Sequence, residues 1–238
     1  MPMTERLEVA RRTCPVIFLL DTSGSMSGTP IGAVNAAMEG ILPELVSLNK
    51  DNPDAEIEIA ILTFESGTKW VTGNKLVPPQ DFAWNDLNTG GLTSMGAAFE
   101  DLNKALSVSN GFMRRASGCV APVLFLLSDG DPTDNYQQSL QVLKENNWYK
   151  VAIKVAIGYG EESNDDVLRE FTGHSETVLH TNDPQDLKKM IRTVAIKSSM
   201  VASSRRSIVH PGDQQTDLDD PNKLIIDEIR KIDLDEEW

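Results

Sequence analysis

Pro15-Val-Ile-Phe-Leu-Leu20, followed by Asp21-Thr-Ser-Gly-Ser-Met26, is the stretch that decides the fold. Its first six residues are apolar, partly β-branched and without alternation, which is the pattern of a strand buried on both faces. Strands of that kind belong to parallel α/β sheets, whose ligands bind at the carboxyl ends of the strands. The run therefore delivers a carboxylate and two hydroxyls, Asp21, Ser23 and Ser25, to a binding edge. All three are hard oxygen donors at alternate positions, suited to Mg²⁺, Mn²⁺ or Ca²⁺.

Asp-x-Ser-x-Ser alone occurs in many polar loops. Two distant segments add to it: Gly90-Gly-Leu-Thr93-Ser-Met-Gly96, a loop leading into a helix, and Leu126-Leu-Ser-Asp129-Gly130, the end of a second apolar strand. In order, spacing and context the three segments resemble the von Willebrand factor A domain with its metal-ion-dependent adhesion site (MIDAS). The resemblance implies that Ser23, Ser25 and Thr93 bind a cation, most simply Mg²⁺, through their hydroxyls. It implies that Asp21 and Asp129 act directly or through water. All five positions are kept. Two carboxylates and three neutral oxygens leave a coordination position for an outside ligand, in this family typically a carboxylate of a partner protein.

The rest of the chain reads as alternating helices and strands, which predicts a doubly wound α/β sheet. Thr29 reads as a helix cap before Pro30, with a stripe through Ile31, Val34, Met38, Ile41, Leu45 and Leu48 and a kink expected from Pro43 near Gly40. Strands are expected at 56–64, 121–128, 151–157 and 177–179, and an antiparallel edge strand at 68–72. Residues 73–92 form a long loop that carries Thr93 to the metal rim. Thr133 or Asp134 reads as the cap of a helix containing Tyr136, Leu140 and Leu143. A last helix follows Pro184. The family resemblance implies six strands in the order 3-2-1-4-5-6 within a three-layer fold. Loops at strand carboxyl ends place Met26, Ser27, Ser66, Met95, Asp131, Thr133 and Tyr159 as candidate partner contacts. Arg114 and Arg115, on a connection at the opposite end, read as solvated.

The domain expectation is an N-terminal extension over 1–12, the A domain over 13–204, and a linker with an acidic tail over 205–238. Within the tail, Leu224, Ile225, Ile229 and Ile232 line one face of a short helix. Its carboxylates Asp233, Asp235, Glu236 and Glu237 are candidate ligands for the metal site of the same or a neighbouring molecule. Net charge is −14, which argues against nucleic acid and anionic membrane as main partners. Residues 1–14 are charged and lack the apolar core of a signal peptide. No run approaches the roughly 18 apolar residues of a membrane span. Cys14 and Cys119 make no disulfide framework. A bridge between them is conceivable, but two reduced thiols in a cytoplasmic protein is the simpler reading.

An Asp at the end of the first strand also describes Asp-dependent phosphotransferases. Those need a second acid nearby, and here the position two residues on is Ser23. His174, His180 and His210 lie outside the matched segments, and there is no phosphate-binding loop motif. The reading is a non-enzymatic interaction module. Within the family, residues 11–35, Trp84 with 90–93, and Leu127-Ser-Asp-Gly-Asp-Pro-Thr-Asp134 resemble bacterial TerY-type proteins of the tellurite-resistance group, over about residues 11–204. That resemblance implies a PP2C-type phosphatase or a serine/threonine kinase as partner, in stress response, phosphosignalling or phage defence. The alternatives are an accessory subunit of an AAA+ ATPase of the MoxR or chelatase type, and a secreted adhesin.

Overall fold

The computed structural model describes residues 11–53, 55–115, 118–129, 131–160, 163–204, 222–223 and 225–226. β1 (Arg12–Asp21) is the hub of a six-stranded sheet. It pairs in parallel with β2 (Ala55–Phe64) on one side and β4 (Val123–Ser128) on the other. β5 (Ile153–Tyr159) and β6 (Val178–Thr181) continue in parallel, and β3 (Thr68–Trp70) closes the far edge antiparallel to β2. The order is β3-β2-β1-β4-β5-β6, as the resemblance implied.

Residues of opposite parity on each central strand feed two separate cores. Val16, Phe18 and Leu20 join Val123, Phe125 and Leu127 on one face, covered by α1 (Thr29–Asp51) and α6 (Pro184–Ser204). Ile17 and Leu19 join Leu124 and Leu126 on the other. That second face is covered by α2 (Met95–Ala105), α3 (Tyr136–Glu145), α4 (Asn147–Val151) and α5 (Asp165–Thr172). With both faces covered, a central strand has no polar side to show, and alternation disappears.

Several local expectations shift. The cap of α1 is Gly28, at φ 84, and Thr29 is the first helical residue. The chain turns sharply there after the Ser23–Ser27 loop, and a left-handed φ favours glycine. α1 is assigned as one continuous helix through Pro43. Contrary to the sequence expectation, α1 is by length and composition apolar enough to cross a membrane. Its apolar stripe, however, is spent on the core: Val34, Met38, Ile41 and Leu45 are fully buried. Val151 ends α4 instead of starting β5. Asn146 caps α4, its side chain accepting from the N–H groups of Trp148 and Tyr149.

The long loop after β3 is held at several points. Val77 pairs with Ile59, and the Asn35 side chain exchanges two hydrogen bonds with the backbone of Leu87. Phe82, Trp84 and Leu87 pack onto the α1 side of the core. Arg115 forms an ion pair with Glu58, so it is engaged with the domain and not simply solvated.

Cys119 stands opposite Thr13 in an isolated parallel bridge. Partners in register share a face, so Cys119 points to the side away from Cys14, which belongs to the other core. Both thiols are free, and burial pushes the Cys14 thiol up to about 12. The fold itself therefore keeps the two sulfurs apart.

The described fold extends past the expected boundaries. The 12/13 boundary falls inside β1. Asn222 and Ile225, on the far side of the expected linker, are buried. Ile225 joins the α1–α6 core, and the Asn222 side-chain oxygen Oδ1 accepts from the Lys154 N–H at 2.9 Å. The signal-peptide reading of 1–10, and Leu224, Ile229, Ile232 and the tail carboxylates, lie outside the described residues.

Candidate metal-ion site

β1 ends in Asp21, which has no exposed surface. One carboxylate oxygen accepts from the Ser23 N–H at 2.8 Å and the other from the Ser128 hydroxyl at 2.5 Å. Asp21 thus pins the start of its own loop and the end of β4. The chain then turns through a 3-10 helix, Gly24–Met26. The turn brings the Ser23 and Ser25 hydroxyls within 3.0 Å of each other, and Ser25 donates to Asp129 at 2.9 Å. Asp21, Ser23, Ser25 and Asp129 are thus brought together in one hydrogen-bonded cluster.

Thr93 arrives on a loop pinned residue by residue. Gly90 donates to the Thr22 carbonyl at 2.9 Å, and the Gly91 carbonyl accepts from Gly24 at 3.3 Å. Leu92 N–H donates to the Ser66 hydroxyl at 3.1 Å. Thr93 N–H donates to the Thr133 hydroxyl at 3.1 Å, while the Thr93 carbonyl accepts from the Thr133 N–H at 2.9 Å. Gly91 has φ 70, and a Cβ there would lie 2.3 Å from the Ser66 hydroxyl oxygen. Only glycine fits that crossing.

The electrostatics are one-sided. Burial pushes the Asp21 carboxyl above the usual carboxylate range, against the hydrogen bonds from Ser128 and Ser23, and Asp129 adds to the rise. Burial likewise raises Asp129, opposed by the Ser25 hydrogen bond. Among the described residues no Lys, Arg or His forms an ion pair with either acid. Nor is there, among those residues, a cluster of three or more His, Cys, Asp or Glu side chains. The donor set is therefore carboxylate plus hydroxyl, which fits a hard divalent cation and not a thiolate–imidazole zinc centre.

The expected rim divides. Ser27, Ser66, Asp131 and Thr133 are exposed. Met26 and Met95 are fully buried, one in each core, and Tyr159 is buried with its hydroxyl donating to the Asn182 carbonyl at 3.2 Å. These three are core residues, not contacts. Met26 turns down from the 3-10 helix, and Met95 lies on the sheet-facing side of α2.

Three features escaped the sequence reading. Leu92 is 60% exposed beside Thr93, and only the loop geometry reveals it. Ser128 holds Asp21. Asp134 caps a helix, but not its own: its carboxylate accepts from the N–H groups of Gly96 and Ala97 at the start of α2, at 2.9 and 3.0 Å, while Asn135 precedes α3.

The family model for the von Willebrand factor type A domain matches residues 16–193. A comparison with curated protein sequences gave no match. Among solved structures, proximal thread matrix protein 1 from the mussel byssus is similar, with TM-score 0.56 and 19% identity over 79% of this chain and 48% of that one. A structure of the same protein is described as having a zinc-occupied MIDAS motif. A von Willebrand factor type A protein from Catenulispora acidiphila gives TM-score 0.55 and 19% identity, over 80% of this chain and 43% of that one. The paralog VWA2 of ArnB from Sulfolobus acidocaldarius gives 0.55 and 18%, over 76% and 45%. The match spans less than half the length of each of these proteins. The family model covers most of the sheet, including β1, β4 and the loops between them, and on that ground the chain belongs to the von Willebrand factor type A domain family.

Proposed function

We propose that this protein is a metal-dependent protein-interaction module. It would hold one divalent cation, Mg²⁺ as the first choice and Mn²⁺ or Ca²⁺ as substitutes, with Ser23, Ser25, Thr93, Asp21 and Asp129. The observation that carries the reading is a pair of acids, Asp21 fully buried and Asp129 half-buried, linked through Ser23 and Ser25 and forming no ion pair with a basic side chain among the described residues. Such a pair is costly unless neutralised. A bound cation would supply that neutralisation and, with a position left open, an attachment point for a partner carboxylate. Ser27, Ser66, Asp131, Thr133 and the outward Leu92 would then form the rim around it.

A non-enzymatic role is favoured by Asp21 itself. Both its oxygens are engaged and it has no exposed surface, which is unsuited to a phosphate-accepting nucleophile. The finer assignment is a cytoplasmic TerY-type protein working with a PP2C-type phosphatase or a serine/threonine kinase. It rests on the sequence pattern over 11–204.

The first test is calorimetric titration with MgCl₂. Asp21→Ala is a poor probe, because Asp21 also holds Ser23 and Ser128. Ser25→Ala and Asp129→Ala should each weaken binding at least tenfold while leaving thermal unfolding of the metal-free protein nearly unchanged. Unchanged Mg²⁺ affinity in both variants would refute the site. The partner assignment fails if capture of the cognate phosphatase or kinase is insensitive to EDTA.

A further inference from the structure

The opposite end of the domain carries a cationic groove that the proposed function does not use. Residues 66–80 and 102–128 contain Lys69, Lys75, Lys104, Arg114 and Arg115 and no Asp or Glu, in a chain with 36 acidic against 22 basic residues. The fold brings these two segments together. Asn74, Lys75 and Leu76 form one bank and Phe112, Arg114 and Arg115 the other, around a hollow of about 440 Å³. It adjoins a second hollow of about 170 Å³ that reaches Trp70. The Trp70 and Phe112 rings meet edge to face there, with centroids 5.1 Å apart. Arg115 and Lys104 are paired with Glu58 and Asp101. Lys75 and Arg114 are exposed and form no ion pair among the described residues.

Asn222 and Ile225, a few residues before an acidic segment, are anchored at this same end of the sheet. β6 pairs with β5 only from Ala156 onward. Below that point the Lys154 N–H is taken by Asn222, and Ile225 is buried in the core. The remaining segment, 227–238, thus starts from the amino end of β5, toward the same end of the sheet as the groove. Twelve residues span up to about 40 Å, whereas β5 and β2 lie three strand spacings apart, roughly 14 Å, and rounding the amino end of the sheet from the α1–α6 face, where Ile225 packs, to the α2 face, where Phe112 packs, adds roughly 10–20 Å. The metal site sits at the other ends of the strands, a further ~20–30 Å along them. Residues 232–238 hold Asp233, Asp235, Glu236 and Glu237 without an intervening base, together with Leu234 and Trp238.

We propose that the groove seats the acidic segment 233–238 of the same chain, with Asp235–Glu237 against Lys75 and Arg114 and Trp238 against the Trp70–Phe112 pair. The Asn222–Ile225 anchor makes this an intramolecular contact, which raises the effective concentration of the tail at the groove. The contact gives the acidic segment a place other than the metal site, and an anionic partner segment would have to displace it.

The test uses the full chain with benzoylphenylalanine in place of Trp238, irradiated as a mixture of unlabelled and ¹⁵N-labelled molecules. Cross-links are expected within one chain, to residues 69–76 or 104–115. Their yield should fall at least fivefold in the Lys75→Glu, Arg114→Glu double variant, and also in 0.5 M NaCl. Both side chains are exposed, and an unshifted thermal transition shows that the variant remains folded. The proposal is overturned by cross-links to 23–27, 90–95 or 129–133, by cross-links between isotopically different chains, by a yield indifferent to charge reversal, or by no cross-link.

Discussion

Asp134→Ala tests how the metal loop is held. The Asp134 carboxylate accepts from two amides of the first turn of α2, Gly96 and Ala97, and Ser94, the residue before the helix, makes no side-chain cap. Removing it leaves two N–H groups of a helix start unpaired. Loss of a helix cap costs about 0.5–2 kcal/mol, and a hydrogen bond to a charged group about 1.5–3 kcal/mol. Asp134 is half-buried, so water replaces part of the loss, and about 2 kcal/mol is expected. For a domain of this size that lowers the melting temperature by roughly 4–8 °C. The same change loosens the Thr93 loop, because Thr133, the neighbour of Asp134, holds the Thr93 backbone from the same segment. Mg²⁺ affinity should therefore fall severalfold although Asp134 is no ligand. Asp134→Asn keeps one acceptor but sets an NH₂ against the second amide, and should restore less than half of the stability. Urea unfolding and calorimetry measure both effects. A variant within 0.5 kcal/mol of the parent, with unchanged Mg²⁺ affinity, would show that the clamp is not what orders the loop.

Other consequences can be measured on the same protein. Gly91→Ala combines a left-handed φ with a 2.3 Å clash against Ser66 and should destabilise by about 2 kcal/mol. Adding Ser66→Ala removes the clash with the hydroxyl but also the acceptor of the Leu92 N–H, so it should recover only part of the loss, and full recovery would show the φ to be unimportant. Arg115→Met leaves Glu58, 9% exposed, without its cation. Arg115 is partly solvated, so the loss is about 1–2 kcal/mol at pH 7, measured by urea unfolding. Burial already raises the Glu58 pKa against Arg115, and removing the cation raises it further. A carboxyl whose folded pKa exceeds its unfolded one loses stability as pH rises between the two. The deficit should therefore shrink as pH falls from 7 toward 5; a deficit that grows would reverse the assignment. Ile225→Ala should cost about 2–4 kcal/mol, since it opens a cavity in the main core, and a neutral result in thermal unfolding would mean that the segment does not belong to the fold.

Some features follow from the sequence because they are short-range or periodic. The unalternating run Pro15–Leu20 forces a central strand, since only burial on both faces tolerates it. Asp21, Ser23 and Ser25 then follow at the strand end by chain continuity. The stripe of α1 reported its buried face because helical period and core contact coincide. Turn residues and spacing also marked β3 as an edge.

What the tertiary structure alone decided is every contact between segments distant in sequence. Asp134 has the local signature of a cap for its own helix, yet serves α2, because the loops after β4 and before α2 converge at one end of the sheet. Met26 and Met95 lie on rim loops in sequence, but the direction of one side chain at a turn sends each into the core. Cys14 and Cys119 are kept apart by strand register, which no spacing encodes. The acid-free segments 66–80 and 102–128 become a groove only when β3 and the α2–β4 connection meet. Asn222 and Ile225 are separated from β5 by a polar stretch that sequence reads as a linker, and only the uncovered edge of β5 shows where they dock. In each case the missing information is which two surfaces meet, a property of chain topology and not of local composition.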